Sequence, residues 1–177
     1  MAKQHDIAIN GVSYYVAQYG SPKAQPLLLL HGFTGSSVNW EPLLPAFSSR
    51  FFVITVDILG HGRSQSPPNS DRYSMAQVAS DLIALLDTFQ IRQTALLGYS
   101  MGGRLALYLA CHFPNRFSHL ILESSSPGLA NDAERESRMW RDIVLANWIK
   151  ANGIEQFVTR WEAVSYTHLT LPTSFLV

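Results

Sequence analysis

The chain has 177 residues, 47% of them apolar and 15% charged, with thirteen Lys+Arg against thirteen Asp+Glu and no formal net charge. That length suits one domain with a real core, and the charge balance argues against non-specific nucleic-acid binding and against a polybasic membrane patch. With no eighteen-residue apolar run, no apolar stretch at Met1–Asp6, a single cysteine (Cys111) and no Cys/His zinc spacing, the expectation is a soluble, cytoplasmic protein with neither membrane span nor structural metal.

Two alternating segments, 6–10 and 12–19, flank Asn10-Gly11, a strong hairpin-turn pair. Leu27–Leu30 is a continuous apolar run of strand length, and 51–56, 94–97 and 117–122 are further runs of that kind. Between the second and third, Met75, Val78, Ala79, Leu82, Leu86 and Phe89 fall on one helical face behind the capping pair Ser74 and Gln77. Helix is expected again over 103–111. Strands alternating with amphipathic helices predict an α/β protein with a mostly parallel sheet and an antiparallel hairpin at its edge. From Glu123 to Asn131 the chain is rich in Ser, Pro and Gly and reads as a loop. Residues 132–150 and 154–161 then read as two more helices.

Chemistry enters at Gly98-Tyr99-Ser100-Met101-Gly102, a G-x-S-x-G sequence between an expected strand and an expected helix. A serine in that sharp turn has its hydroxyl exposed, and the glycines allow close backbone approach. The helix start behind it offers free amides to developing negative charge. Two loops support this reading. His31-Gly32-Phe33 follows the first buried strand, and Asp57-Ile-Leu-Gly60-His61-Gly62-Arg63-Ser64 follows the second.

With these motifs the chain resembles the α/β-hydrolase superfamily from about residue 7 to 162. The resemblance implies Ser100 as the catalytic residue and the backbone amides of Phe33 and Met101 as oxyanion donors. A narrower likeness rests on Gly98–Arg104, Glu123–Leu129, Glu134-Arg135, Arg138, Phe157 and Trp161-Glu162. These resemble the 2-succinyl-6-hydroxy-2,4-cyclohexadiene-1-carboxylate synthases of menaquinone biosynthesis, lyases that eliminate pyruvate from a polycarboxylate. The family uses its triad serine to abstract a proton, needs no cofactor, and implies a bacterial, cytoplasmic protein. It implies substrate contacts at His31, Gly32, Tyr99, Arg104, Arg138 and Trp161. Arginine suits such a substrate because its planar fork donates two parallel bonds to a carboxylate and stays charged. Two other readings stay open: a carboxylesterase or C–C bond hydrolase of the same superfamily, and a catalytically dead fragment or binding protein on this fold. The sequence does not disclose the oligomeric state.

Other conspicuous residues read as structural. Asp57 precedes the serine, whereas the superfamily order is Ser, Asp, His. His61 belongs to its glycine-flanked loop, His112 and His119 to the ends of secondary structure, and Cys111 to packing. Three segments are expected: 1–124 as the first part of the hydrolase core, 125–162 as the start of a helical cap, and 163–177 as a non-native tail resembling translated sequencing adapter. On this reading the triad Asp and His are absent, along with the C-terminal strands, and His168 is not the catalytic base. The strand at 117–122 should then be an unpaired apolar edge, and Leu105 and Leu109 should lose cover.

Overall fold

Six strands form one sheet in the computed structural model, which describes residues 3–165. Strands β1 (Lys3–Ile9) and β2 (Val12–Tyr19) form an antiparallel hairpin. Both turn residues take positive φ, 49° at Asn10 and 79° at Gly11, as the Asn-Gly pair predicts. Strands β3 (Gln25–Leu30), β4 (Phe51–Val56), β5 (Thr94–Tyr99) and β6 (Phe117–Glu123) are mutually parallel, and the order across the sheet is β1-β2-β4-β3-β5-β6. The hairpin joins through an antiparallel β2–β4 pairing. The architecture is the expected mostly parallel α/β sheet with its leading hairpin.

Period-two alternation splits β3 between two cores. Leu28 and Leu30 join Ile54, Val56 and Leu96 beneath helices α2 (Met75–Thr88) and α3 (Met101–His112). Leu27 and Leu29 join Val53, Ala95 and Leu97 on the other face, under Trp40 and the short helix α1 (Leu44–Ser48). Burial on both faces accounts for the unbroken leucine run. Leu105 and Leu109 of α3 are fully packed in the first core, so the expectation that they lose cover is wrong: α2 and the sheet suffice to bury them.

The connection from β3 to β4 passes α1 on one face, and that from β4 to β5 passes α2 on the other. β3 and β5 are neighbours whose outgoing chains diverge. In a parallel sheet such a divergence opens a crevice at the carboxyl ends of the two strands.

A buried carboxylate fixes the hairpin to the helical layer. Asp81 of α2 accepts hydrogen bonds from Asn10 Nδ2 at 2.8 Å, the Tyr14 hydroxyl at 2.7 Å and an Arg72 guanidinium nitrogen at 2.6 Å. Burial, reinforced by the bond to Asp81, pushes the Tyr14 hydroxyl above the usual tyrosine range.

Residues to Pro127 form one compact unit and those from Gly128 onward a second. The second holds α4 (Asp132–Asn152) and α5 (Ile154–Ser165), with the Asn131 side chain capping α4 at the Glu134 amide. The expectation for 163–177 falls outside the described residues, apart from 163–165 within α5.

Candidate active site

β5 runs directly into the serine turn. Ser100 has φ 51° and ψ −110°, a conformation that costs a non-glycine residue of order 1–3 kcal/mol and persists only where its surroundings impose it. Two contacts impose it here. The Ser100 amide donates to the Glu123 carbonyl at 2.9 Å, extending the β5–β6 pairing by one residue, and the Ser100 carbonyl accepts from the Arg104 amide at 3.1 Å, starting α3. A Cβ on Gly102 would meet the Leu30 carbonyl oxygen, so only glycine lets the first turn of α3 settle on the end of β3.

The Ser100 amide is consumed in the sheet, whereas the amides of the first helical turn lack intrahelical acceptors. Met101 opens that turn, so its amide has no acceptor within the helix. Ser100 itself is half-buried, and no described residue hydrogen-bonds its Oγ.

Across the crevice, the chain leaving β3 lies against the elbow. A Cβ on Gly32 would fall 3.4 Å from Ser100 Cβ and 2.9 Å from the Tyr99 ring. The Gly32 carbonyl accepts from His31 Nδ1 at 2.8 Å and from the Gly35 amide at 3.1 Å. A trans peptide points its N–H away from its C=O. Holding the Gly32 oxygen inward therefore turns the Phe33 amide outward.

His31 is only 1% exposed. Its Nε2 accepts the Ile58 amide at 2.9 Å while Nδ1 donates to Gly32, which fixes the neutral tautomer. Burial also holds its pKa below the ordinary histidine value. The expectation of a substrate contact by this side chain is corrected on geometry: the ring faces inward with both nitrogens used, and it orients the loop.

Asp57 is likewise internal. One carboxylate oxygen accepts the Ser37 amide at 2.6 Å and the other the Arg63 amide at 2.8 Å, while its carbonyl accepts the Ser64 hydroxyl. It thus ties the loop after β3 to the loop after β4, in keeping with its structural reading. The His61 ring packs 5.2 Å from that of His31 and 5.9 Å from that of Phe33, a placement that no local sequence signal announces.

Ser100, Met101, Gly32, Phe33 and Tyr99 are brought together at the switch between β3 and β5. Arg104 projects from the first turns of α3, half-buried, and its guanidinium has no ion pair or hydrogen bond among the described residues. Arg138 and Trp161 belong to the second unit. There Arg138 Nε donates to both oxygens of Asp142, at 2.8 and 2.9 Å, and Trp161 packs against Phe157 at 5.4 Å between ring centres.

A family model described as the alpha/beta hydrolase fold matches residues 25–175. The chain belongs to that family. Among hydrolase-fold relatives, it is 43% identical over 158 residues to a putative 2-succinyl-6-hydroxy-2,4-cyclohexadiene-1-carboxylate synthase of Bacillus subtilis, a match covering 88% of this chain and 56% of that protein. It is 35% identical to the synthase of the same description from Pectobacterium atrosepticum, over 76% of this chain and 52% of the relative. A crystal structure of a hydrolase from Pseudomonas aeruginosa superposes with a TM-score of 0.71 at 28% identity, over 84% of this chain and 58% of the other. The chain thus spans little more than half the length of the relatives named here. No helix among the described residues is long and apolar enough to cross a membrane.

Proposed function

We propose that this chain carries the nucleophile half of a lyase that eliminates pyruvate from 2-succinyl-5-enolpyruvyl-6-hydroxy-3-cyclohexene-1-carboxylate, giving 2-succinyl-6-hydroxy-2,4-cyclohexadiene-1-carboxylate. The observation that carries the reading is Arg104, a guanidinium without an internal partner, one helical turn beyond the strained Ser100. The synthases of Bacillus and Pectobacterium among the relatives support it.

In this reading a histidine base takes the Ser100 hydroxyl proton as Ser100 Oγ takes the proton from the substrate. Elimination breaks the C–H bond and the C–O bond to the enolpyruvyl group, and the released enol becomes pyruvate. The Phe33 and Met101 amides stabilise the negative charge that develops as the proton leaves. Arg104 binds a substrate carboxylate, Tyr99 walls the pocket and Gly32 permits close approach. The partner is a small polycarboxylate and the setting cytoplasmic.

The test uses the full-length enzyme. Ser100→Ala should cut pyruvate release by several orders of magnitude. Arg104→Ala should cost about 2–5 kcal/mol in kcat/KM for the polycarboxylate, as when a buried carboxylate loses its charged partner. Hydrolysis of neutral p-nitrophenyl acetate should barely respond to loss of Arg104. Equal losses on both substrates would favour a carboxylesterase or C–C bond hydrolase.

A further inference from the structure

In the lyase reading the Phe33 amide meets developing charge, yet Phe33 stands on an exposed turn and is itself 46% exposed. The turn is closed by the Gly35 amide on the Gly32 carbonyl at 3.1 Å, and its third residue, Thr34, has φ 64°. Glycine or asparagine normally takes such a position, because a positive φ swings Cβ toward the preceding carbonyl. A β-branched residue there is strained. Thr34 meets that carbonyl with its hydroxyl, which donates to the Phe33 oxygen at 2.6 Å. Strain of this kind persists only where the surroundings hold it.

The surroundings include the loop after β4. His61 Nδ1 donates to the Leu59 carbonyl at 3.1 Å, which anchors the ring to its own loop. That loop is closed by the His61 amide on the Ile58 carbonyl at 2.9 Å, the Ser64 amide on the His61 carbonyl at 3.1 Å and the Gly60 amide on the Gln65 carbonyl at 3.0 Å. From this base the half-buried ring reaches two residues of the loop after β3. It stands edge-on to Phe33, with ring centres 5.9 Å apart and planes at 76°, a favourable aromatic geometry. It also packs 5.2 Å from His31, whose Nδ1 holds the Gly32 carbonyl. The peptide that carries the Phe33 N–H is thus braced at one end through His31 and at the other through Phe33.

We infer that His61 is a positioning residue for the Phe33 amide, acting through Phe33 and not on the substrate. The inference rests on the reading of that amide as an oxyanion donor. Such a donor stabilises charge only where the charge forms, and a displacement of about one ångström can cost roughly a hundredfold in rate. Loss of the brace should therefore appear in kcat and leave KM in place.

The test is a set of His61 variants in the full-length enzyme. His61→Ala should lower kcat for pyruvate release about tenfold to a hundredfold while moving KM less than about threefold. His61→Phe restores a flat ring but cannot donate to Leu59, and should recover most of that loss. In a Phe33→Ala background, which keeps the backbone amide, His61→Ala should cost less than about threefold further, because neighbours that act together are not additive. If the alanine variant does not fold, His61→Leu fills the space without a ring and should lose kcat to the same extent. A raised KM at unchanged kcat, a phenylalanine variant no better than alanine, or full additivity with Phe33→Ala would each overturn the inference. Wild-type enzyme that releases no pyruvate would instead overturn the lyase reading. The same variants would then be judged on p-nitrophenyl acetate, whose hydrolysis charges the same oxyanion site.

Discussion

β3 and β6 are apolar runs in one sheet, and the sheet treats them oppositely. Leu27–Leu30 lies between two neighbours and two helical layers and is buried throughout. In β6, Leu120, Ile121 and Leu122 are 36%, 50% and 39% exposed, because among the described residues the strand pairs only with β5. An apolar run states that a segment can be buried on both faces, whereas its position in the strand order decides whether it is. A long apolar strand with an unpaired edge is also a template for association.

Mutations should reproduce this contrast. Leu30→Ala removes side-chain volume where both faces are filled, and should cost about 2–5 kcal/mol in urea unfolding, whereas Leu122→Ala should cost less than about 1 kcal/mol. Equal costs would mean that the edge is covered in solution. Gly102→Ala pushes a methyl against the Leu30 carbonyl and should destabilise by about 1–3 kcal/mol, the usual penalty for overpacking.

Acid should also act on the centre of the sheet. Burial lowers the His31 pKa in the folded state. Its contribution is therefore complete above the unfolded-state pKa of about 6.5 and is lost as pH falls below it, with a slope of up to about 1.4 kcal/mol per pH unit. Denaturant melts of His31→Asn should be weaker at neutral pH yet flatter in that acid window. An unchanged slope would remove His31 as its source.

The smallest change in stability belongs to the edge. Ile121→Lys should alter unfolding by no more than about 0.5 kcal/mol, as surface substitutions do. The same change should shift the chain toward monomer in size-exclusion chromatography, since a lysine on an edge discourages strand addition. No change in elution would show that β6 does not drive association.

The fold was largely legible because its signals are local. Four apolar runs, the Asn10-Gly11 turn and the periodicity of 75–89 each state their own conformation. The serine turn was legible for the same reason, since G-x-S-x-G encodes a backbone geometry. Long-range pairings were not. His31 meets Ile58 and Ser37 meets Asp57 only because two loops emerge side by side from β3 and β4. The substrate contact that the family resemblance implies for His31 gives no sign that its ring is used internally. Asp81 gave no signal as the centre of a network, because its partners Asn10, Tyr14 and Arg72 are scattered along the chain. The burial of Leu105 and Leu109 depends on cover from α2, which no pattern within 101–112 announces.

The bond from the Ser100 amide to the Glu123 carbonyl makes the outermost strand a guy-rope for the serine turn. Its consequence is a separation between being folded and being armed. Fraying of β6 from its carboxyl end would leave both hydrophobic cores standing, and with them the cooperative melt. It would release the one sheet contact that holds φ positive at Ser100, letting the serine relax into ordinary strand geometry. Hydrogen exchange at that single amide therefore follows the readiness of the elbow, which no global stability measurement can see.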